Sequence, residues 1–135
     1  MPQTTFAVET RGPGLTEITE QVAAWVAAAG VREGLLTLFV RHTSASLLVQ
    51  ENADPKVQVD LMTFFARFAP EHEPWVTHRE EGPDDMPSHI KAAVLPVSLA
   101  IPVTSGRLAL GTWQGIYLVE HRRAHRRREV AAHLT

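Results

Sequence analysis

Apolar residues recur at every second position along much of this chain, in runs too short for anything but β-strands. Leu36, Leu38 and Val40 share one face of residues 34–41, and Leu99, Ile101 and Val103 share one face of a second run. Residues 5–9 alternate in the same way, with Phe6 and Val8 on one side. Residues 44–50 and 129–134 read as further strands. Residues 113–120 are apolar on both faces, the mark of a strand covered from both sides. Arg11-Gly12-Pro13-Gly14 is a turn, and Thr104-Ser105-Gly106-Arg107 is a hairpin turn leading into Leu108 and Leu110.

Helical spacing is less frequent. Val22, Trp25, Val26 and Ala29 define one helix, with Thr19 as its N-cap, Glu20 in its first turn and Gly30 as its stop. Asp54-Pro55 opens a second, whose stripe is Val57, Leu61, Phe64, Phe65 and Phe68. Pro87 opens a short third, with Met86, Ile90, Ala93 and Val94 expected inward. Residues 70–86 between the last two are acidic and interrupted by Pro74 and Pro83, and loops of that length in compact domains are often functional. Few helices among many short strands predict an α+β fold with a mostly antiparallel sheet. With 135 residues, no repeat and no linker, residues 1–135 read as a single domain.

The absence of cysteine excludes disulfides, thiolate metal sites and cysteine nucleophiles. The start of the chain has no basic, apolar leader. No apolar run approaches the roughly 18–20 residues that span a bilayer. A cytoplasmic protein without membrane contact is the expectation. The net charge is −2, and the arginines between Arg122 and Arg128 lack interleaved aromatics. That argues against nucleic acid as a partner and reads as a solvated turn.

Arg41-His42-Thr43-Ser44-Ala45-Ser46 puts an imidazole and three hydroxyls at a strand end. The set suits a phosphate or a polarised oxygen, or else a buried histidine with hydroxyls satisfying a turn. His89 lies beside the inward stripe of the third helix, while Lys91 turns about 200° away from it. His78 lies in the acidic excursion. His42, His78 and His89 together could hold a zinc-like ion with one position open, although no paired metal spacing is evident. His72, His121, His125 and His133 are assigned to the surface. Thr112 and Gln114, in a segment with glycines on both sides of Trp113, could bond a ligand or simply flank a packed tryptophan. Glu120 extends an apolar face and needs a partner, for which Arg128 is a candidate.

Five blocks in order carry a resemblance: His42-Thr43-Ser44-Ala45-Ser46-Leu47, Glu51-Asn52-Ala53-Asp54-Pro55, Asp84-Asp85-Met86-Pro87-Ser88-His89-Ile90-Lys91, Gly106-Arg107-Leu108, and Gly111-Thr112-Trp113-Gln114-Gly115-Ile116-Tyr117-Leu118. Over about Phe6 to Leu134 the chain resembles the YjbQ-type family, named for a secondary thiamine-phosphate synthase activity. The resemblance implies a mixed, mostly antiparallel sheet curled into a sandwich, with about three helices outside, assembled as a homotrimer. It also implies a polar pocket holding His42, His78 and His89, with Asp54 and Gln114 close by. The arginine-dense stretch 122–128 departs from the small glycine-rich turn usual there.

The resemblance therefore implies an enzyme that couples a pyrimidine diphosphate to a thiazole phosphate, releasing diphosphate. His42, His78, His89 and Asp54 would be catalytic, and Thr43, Ser44, Ser46, Lys91, Thr112 and Gln114 would bind substrate and phosphate. A divalent ion, magnesium or zinc, would be the cofactor, with His42, His78 and His89 as ligands. Imidazole favours zinc over magnesium, so the synthase reaction is expected as a side activity. The alternative is a non-catalytic trimeric binding module for a small phosphorylated metabolite or metal-bound ligand.

Overall fold

The period-two runs become two antiparallel sheets. The computed structural model describes residues 1–135, in the order β1 (Gln3–Arg11), β2 (Gly14–Glu17), α1 (Thr19–Ala29), β3 (Gly34–Val40), β4 (Ala45–Glu51), α2 (Pro55–Phe68), α3 (Asp85–Val94), β5 (Ser98–Thr104), β6 (Arg107–Leu108), β7 (Gln114–Glu120) and β8 (His125–Leu134). One sheet has the order β1-β8-β3-β5-β6 and the other β2-β7-β4, with antiparallel pairing throughout. This is the expected α+β architecture of curled antiparallel sheets. The turn after β1 also feeds β2, a strand that four residues of weak alternation did not announce.

The inner faces of the two sheets meet in one core. Leu36, Leu38, Val40, Ile101, Val103 and Val130 face Ala45, Leu47, Ile116 and Leu118, and α1 adds Val22 and Val26. Burial of each such Leu, Ile or Val stabilises the fold by about 1.5–3 kcal/mol. Strand β7 is buried on both sides, as its unbroken apolar run requires. Its outer face is held from above, where Gln58 of α2 donates to the Tyr117 hydroxyl at 3.3 Å.

Each helix departs from its expected form for a local reason. Thr19 is the first residue of α1, not its cap; its Oγ1 accepts the Ile116 amide at 2.8 Å and donates to Glu17, which ties α1 to β7. Gly30 ends α1 at φ 72°, a left-handed conformation that costs glycine nothing. Asp54 caps α2 by accepting from the Lys56 amide at 2.9 Å. The α2 stripe is only half covered: Phe65 is buried, whereas Phe64 and Phe68 stack on one another in the open. Helix α3 begins two residues before Pro87 and buries Asp85, Pro87 and Ser88. Met86 and Ile90 are half-buried, and Ala93 and Val94 are exposed, so the expected inward set is corrected. Asp85 sits on the inward face of α3 because Arg122 and His78 meet it there.

Candidate metal centre

Two elements converge on one buried carboxylate. Asp85 and His89 stand four residues apart on α3 and so share a face of the helix. The excursion before α3 brings His78 and Glu81 to the same point. One nitrogen or oxygen from each of His78, Glu81, Asp85 and His89 lies within 4.8 Å of all the others. Both imidazoles aim Nε2 at the same oxygen: Asp85 Oδ2 is 2.8 Å from His78 and 3.1 Å from His89. Glu81 approaches His78 Nε2 at 3.6 Å. The two rings are 5.7 Å apart, centre to centre.

The tautomer of His89 is dictated by its other side. Nδ1 lies 2.9 Å from the carbonyl oxygen of Thr43, which can only accept, so Nδ1 carries the proton. A neutral His89 then points the Nε2 lone pair at a carboxylate oxygen. That is repulsive unless a cation lies between them or the ring takes a second proton. His78 has carboxylates on both sides as well, with Glu80 3.5 Å from Nδ1. Metal-ligating histidines are oriented by donating the ring N–H that faces away from the metal to a carbonyl or carboxylate, as Nδ1 of His89 donates to Thr43.

Asp85 itself is anchored. Arg122 donates to Asp85 Oδ1 at 2.7 Å and to Asp84 Oδ2 at 3.0 Å. Burial disfavours the Asp85 carboxylate, but its contacts with His78, His89 and the Arg122 guanidinium outweigh it and hold its pKa below the ordinary value. Beside the cluster lies a hollow of about 370 Å³ lined by Arg41, His42, Thr43, Ser44, Glu81, Asp85, His89, Arg122 and Arg128, with no apolar side chain.

The sequence-nominated residues divide by position. His78 and His89 meet. His42 lines the hollow but stays out of the cluster, because its Nε2 accepts the Glu129 amide at 2.8 Å. Burial and then Arg128 lower its pKa. Thr43 serves through its carbonyl, and Ser44 Oγ accepts from Arg128 at 2.9 Å. Ser46 is fully buried against His121, at 2.9 Å from its Nε2. Lys91 stands off the cluster, and burial lowers its pKa. Asp54, Thr112 and Gln114 lie elsewhere. Gln114 pairs with Glu51 at one end of β4 whereas Glu120 pairs with Ala45 at the other, roughly 20 Å away at strand rise. There Gln114 Oε1 accepts the Gly111 amide, and Asp54 caps α2. Trp113 is exposed, so neither a packed tryptophan nor a pocket describes it. The Asp85–His89 spacing, i to i+4 on one helix, was the paired metal signal, and Glu81 had no signal of its own.

Two surface assignments are also corrected. His121 is buried, with Nδ1 unpartnered, and burial followed by the nearby Lys91 charge lowers its pKa to about 4. Within the arginine stretch, Arg128 is buried in an ion pair with Glu120 and Arg122 is mostly covered, so the stretch is not simply a solvated turn.

Residues 4–135 match the family model described as UPF0047 protein YjbQ-like. The chain belongs to the YjbQ-like family. It is 48% identical to UPF0047 protein sll1880 of Synechocystis over 98% of this chain and 90% of that one. It is 46% identical to YjbQ of Salmonella typhimurium over 89% and 87%. Among solved structures, the hypothetical protein APE1520 of Aeropyrum pernix superposes with a TM-score of 0.90 at 31% identity, covering 100% of this chain and 98% of that one. TT1486 of Thermus thermophilus superposes at 0.86 with 39% identity, covering 98% and 99%. The curated relatives are named only as UPF0047 proteins and these two solved structures only as hypothetical proteins, and none is named as a thiamine-phosphate synthase. The expectations of synthase and transferase activity, and of the phosphometabolite-binding module beside them, are therefore set aside. No helix is long and apolar enough to cross a membrane.

Proposed function

We propose that His78, Glu81, Asp85 and His89 form a mononuclear divalent metal centre of zinc-like preference, which serves metal-assisted hydrolysis of a small anionic substrate. The observation that carries the reading is the fixed tautomer of His89, whose free Nε2 lone pair faces Asp85 Oδ2 at 3.1 Å. A cation seated between that nitrogen and the carboxylates satisfies the contact without a second proton on the ring. Two nitrogens and one or two carboxylate oxygens suit zinc.

An ion bound there supplies Lewis acidity and a water of lowered pKa. The protein's part is to hold the ligands, to keep His89 in one tautomer and to present the adjacent hollow. The hollow is entirely polar, and its three arginines are each already paired, Arg41 with Glu129, Arg122 with Asp84 and Asp85, and Arg128 with Glu120. The attraction for a substrate carrying negative charge, such as a small phosphate ester, would therefore come from the bound cation.

Elemental analysis after dialysis against micromolar zinc tests the reading. About one ion per chain is expected, falling to none in His89→Ala and Asp85→Asn. A wild-type protein that retains no ion removes the metal centre. Turnover of generic aryl phosphates and aryl carboxylates by the loaded protein tests the hydrolytic part, and a lack of turnover with both would remove it. The homotrimer implied by the likeness remains part of the proposal, and the open Phe64–Phe68 pair on α2 supports contact between copies. A single-chain mass in light scattering would dismiss it.

A further inference from the structure

We infer that Arg122 is a positioning residue that restricts Asp85 to one metal-facing oxygen and thereby keeps the coordination number of the centre low. The inference rests on the metal-centre reading above. Its basis is the reach of one guanidinium over the segment that carries the ligands. Nη1 donates to Asp85 Oδ1 at 2.7 Å, Nε to Asp84 Oδ2 at 3.0 Å, and Nη2 to the Glu81 carbonyl at 3.0 Å. Two of those three residues belong to the cluster itself. With Oδ1 engaged, Asp85 presents only Oδ2, the oxygen that both imidazoles face. A one-oxygen carboxylate with two imidazoles leaves room for a four-coordinate ion. A two-oxygen carboxylate would raise the count and suit hard cations such as calcium.

Arg122 is itself held in place by a buried frame. The Glu120 carboxylate accepts the backbone amides of His121 and Arg122, both at 3.0 Å. Arg128 grips the same carboxylate, with Nε at 2.7 Å and Nη2 at 2.5 Å. Arg128 also donates to the carbonyl of Ser44, next to the Thr43 carbonyl that fixes His89. One buried ion pair thus sets the backbone at two supports of the centre, Arg122 on one side and Thr43 on the other. The side chain of Arg122 is only 12% exposed, so the fork is shielded from water.

Cobalt(II) titration of the full chain tests the inference, because four-coordinate cobalt absorbs strongly in the visible and six-coordinate cobalt weakly. The wild type is expected to give the strong band. Arg122→Gln is expected to bind cobalt 10- to 100-fold more weakly, the range for loss of a ligand's outer partner. Its band should also weaken as Oδ1 becomes available. Arg122→Lys keeps the charge and loses the fork, so it should show the same spectral change; it stands in if the glutamine variant does not fold. An unchanged band and affinity in the variant would overturn the role of Arg122 while leaving the metal centre intact. A wild type that takes up no cobalt would remove the metal centre, and this inference with it.

Discussion

Acid should destabilise this fold well before its carboxylates titrate, through His121. The ring is buried beside Ser46, with Nδ1 unpartnered and Lys91 nearby, and its pKa falls from 6.5 to about 4. The unfolded chain protonates this histidine near pH 6.5, whereas the folded chain resists until about pH 4. The unfolded state therefore binds more protons throughout that window. The contribution is fully present above pH 6.5 and is lost as pH falls toward 4. A shift of some 2.5 units corresponds to about 3 kcal/mol. For a chain of this size that is roughly a 10 °C fall in Tm. The depressed acids Asp84, Asp85 and Glu120 act in the same direction, but only below their ordinary range near pH 4. The lowered pKa of His42 also acts in the same direction. The contribution of His121 is therefore isolated by difference. Urea unfolding followed by circular dichroism, at half-unit steps from pH 7.5 to 4.5, should be run on the wild type and on His121→Gln. The stability gap between them should move in the variant's favour by up to about 3 kcal/mol as pH falls. A gap independent of pH would refute the argument, because a packing defect alone costs the same at every pH.

Four further outcomes follow from single contacts. Glu120→Gln leaves the Arg128 charge buried without its partner and should cost about 3–5 kcal/mol in chemical denaturation. Asp54→Ala removes only a helix cap, so about 1 kcal/mol of stability should go while metal content stays unchanged; loss of the metal would contradict the placement of Asp54 outside the centre. Phe65→Ala should cost about 3–5 kcal/mol and Phe64→Ala far less in the isolated chain, a contrast that thermal unfolding at low protein concentration would measure. Gly115→Ala brings a methyl within 2.5 Å of a Glu17 carboxylate oxygen, which also accepts from Thr19 and Asn52. A Tm lowered by several degrees is expected, and an unchanged Tm would mean that Glu17 yields freely.

The fold was legible where burial is one-sided. In β3, β5 and β8 alternate residues meet the core, so period two survives in the sequence and identifies the strands. In β7 the missing alternation was itself informative, because only a strand covered on both faces tolerates it. Strand β2 escaped notice because its four residues are all partly exposed and carry no face to read. Helix α3 misled for a different reason. Hydrophobic spacing presumes that the inward face meets hydrocarbon, whereas here that face holds Asp85 against Arg122 and a buried Ser88 that donates to the Asp85 carbonyl.

The same presumption explains which parts of the centre could be read. Of the seven histidines, two cluster members were nominated from where they lie, His89 beside the inward stripe of α3 and His78 in the acidic excursion before it. Asp85 was not, because acidic residues crowd residues 71–85 and nothing local separates a buried carboxylate from solvated ones. What separates it is Arg122, thirty-seven positions along the chain. The residue that turns an exposed acidic loop into a shaped site thus lies in the arginine stretch that composition assigned to solvent. A carboxylate held by a buried guanidinium keeps its charge and geometry whether or not a cation is bound, so the ligand set need not assemble around the ion. Preorganisation of this kind depends on pairings between distant strands and helices. It is therefore invisible to any reading confined to neighbours in sequence, however plainly the individual ligands stand out.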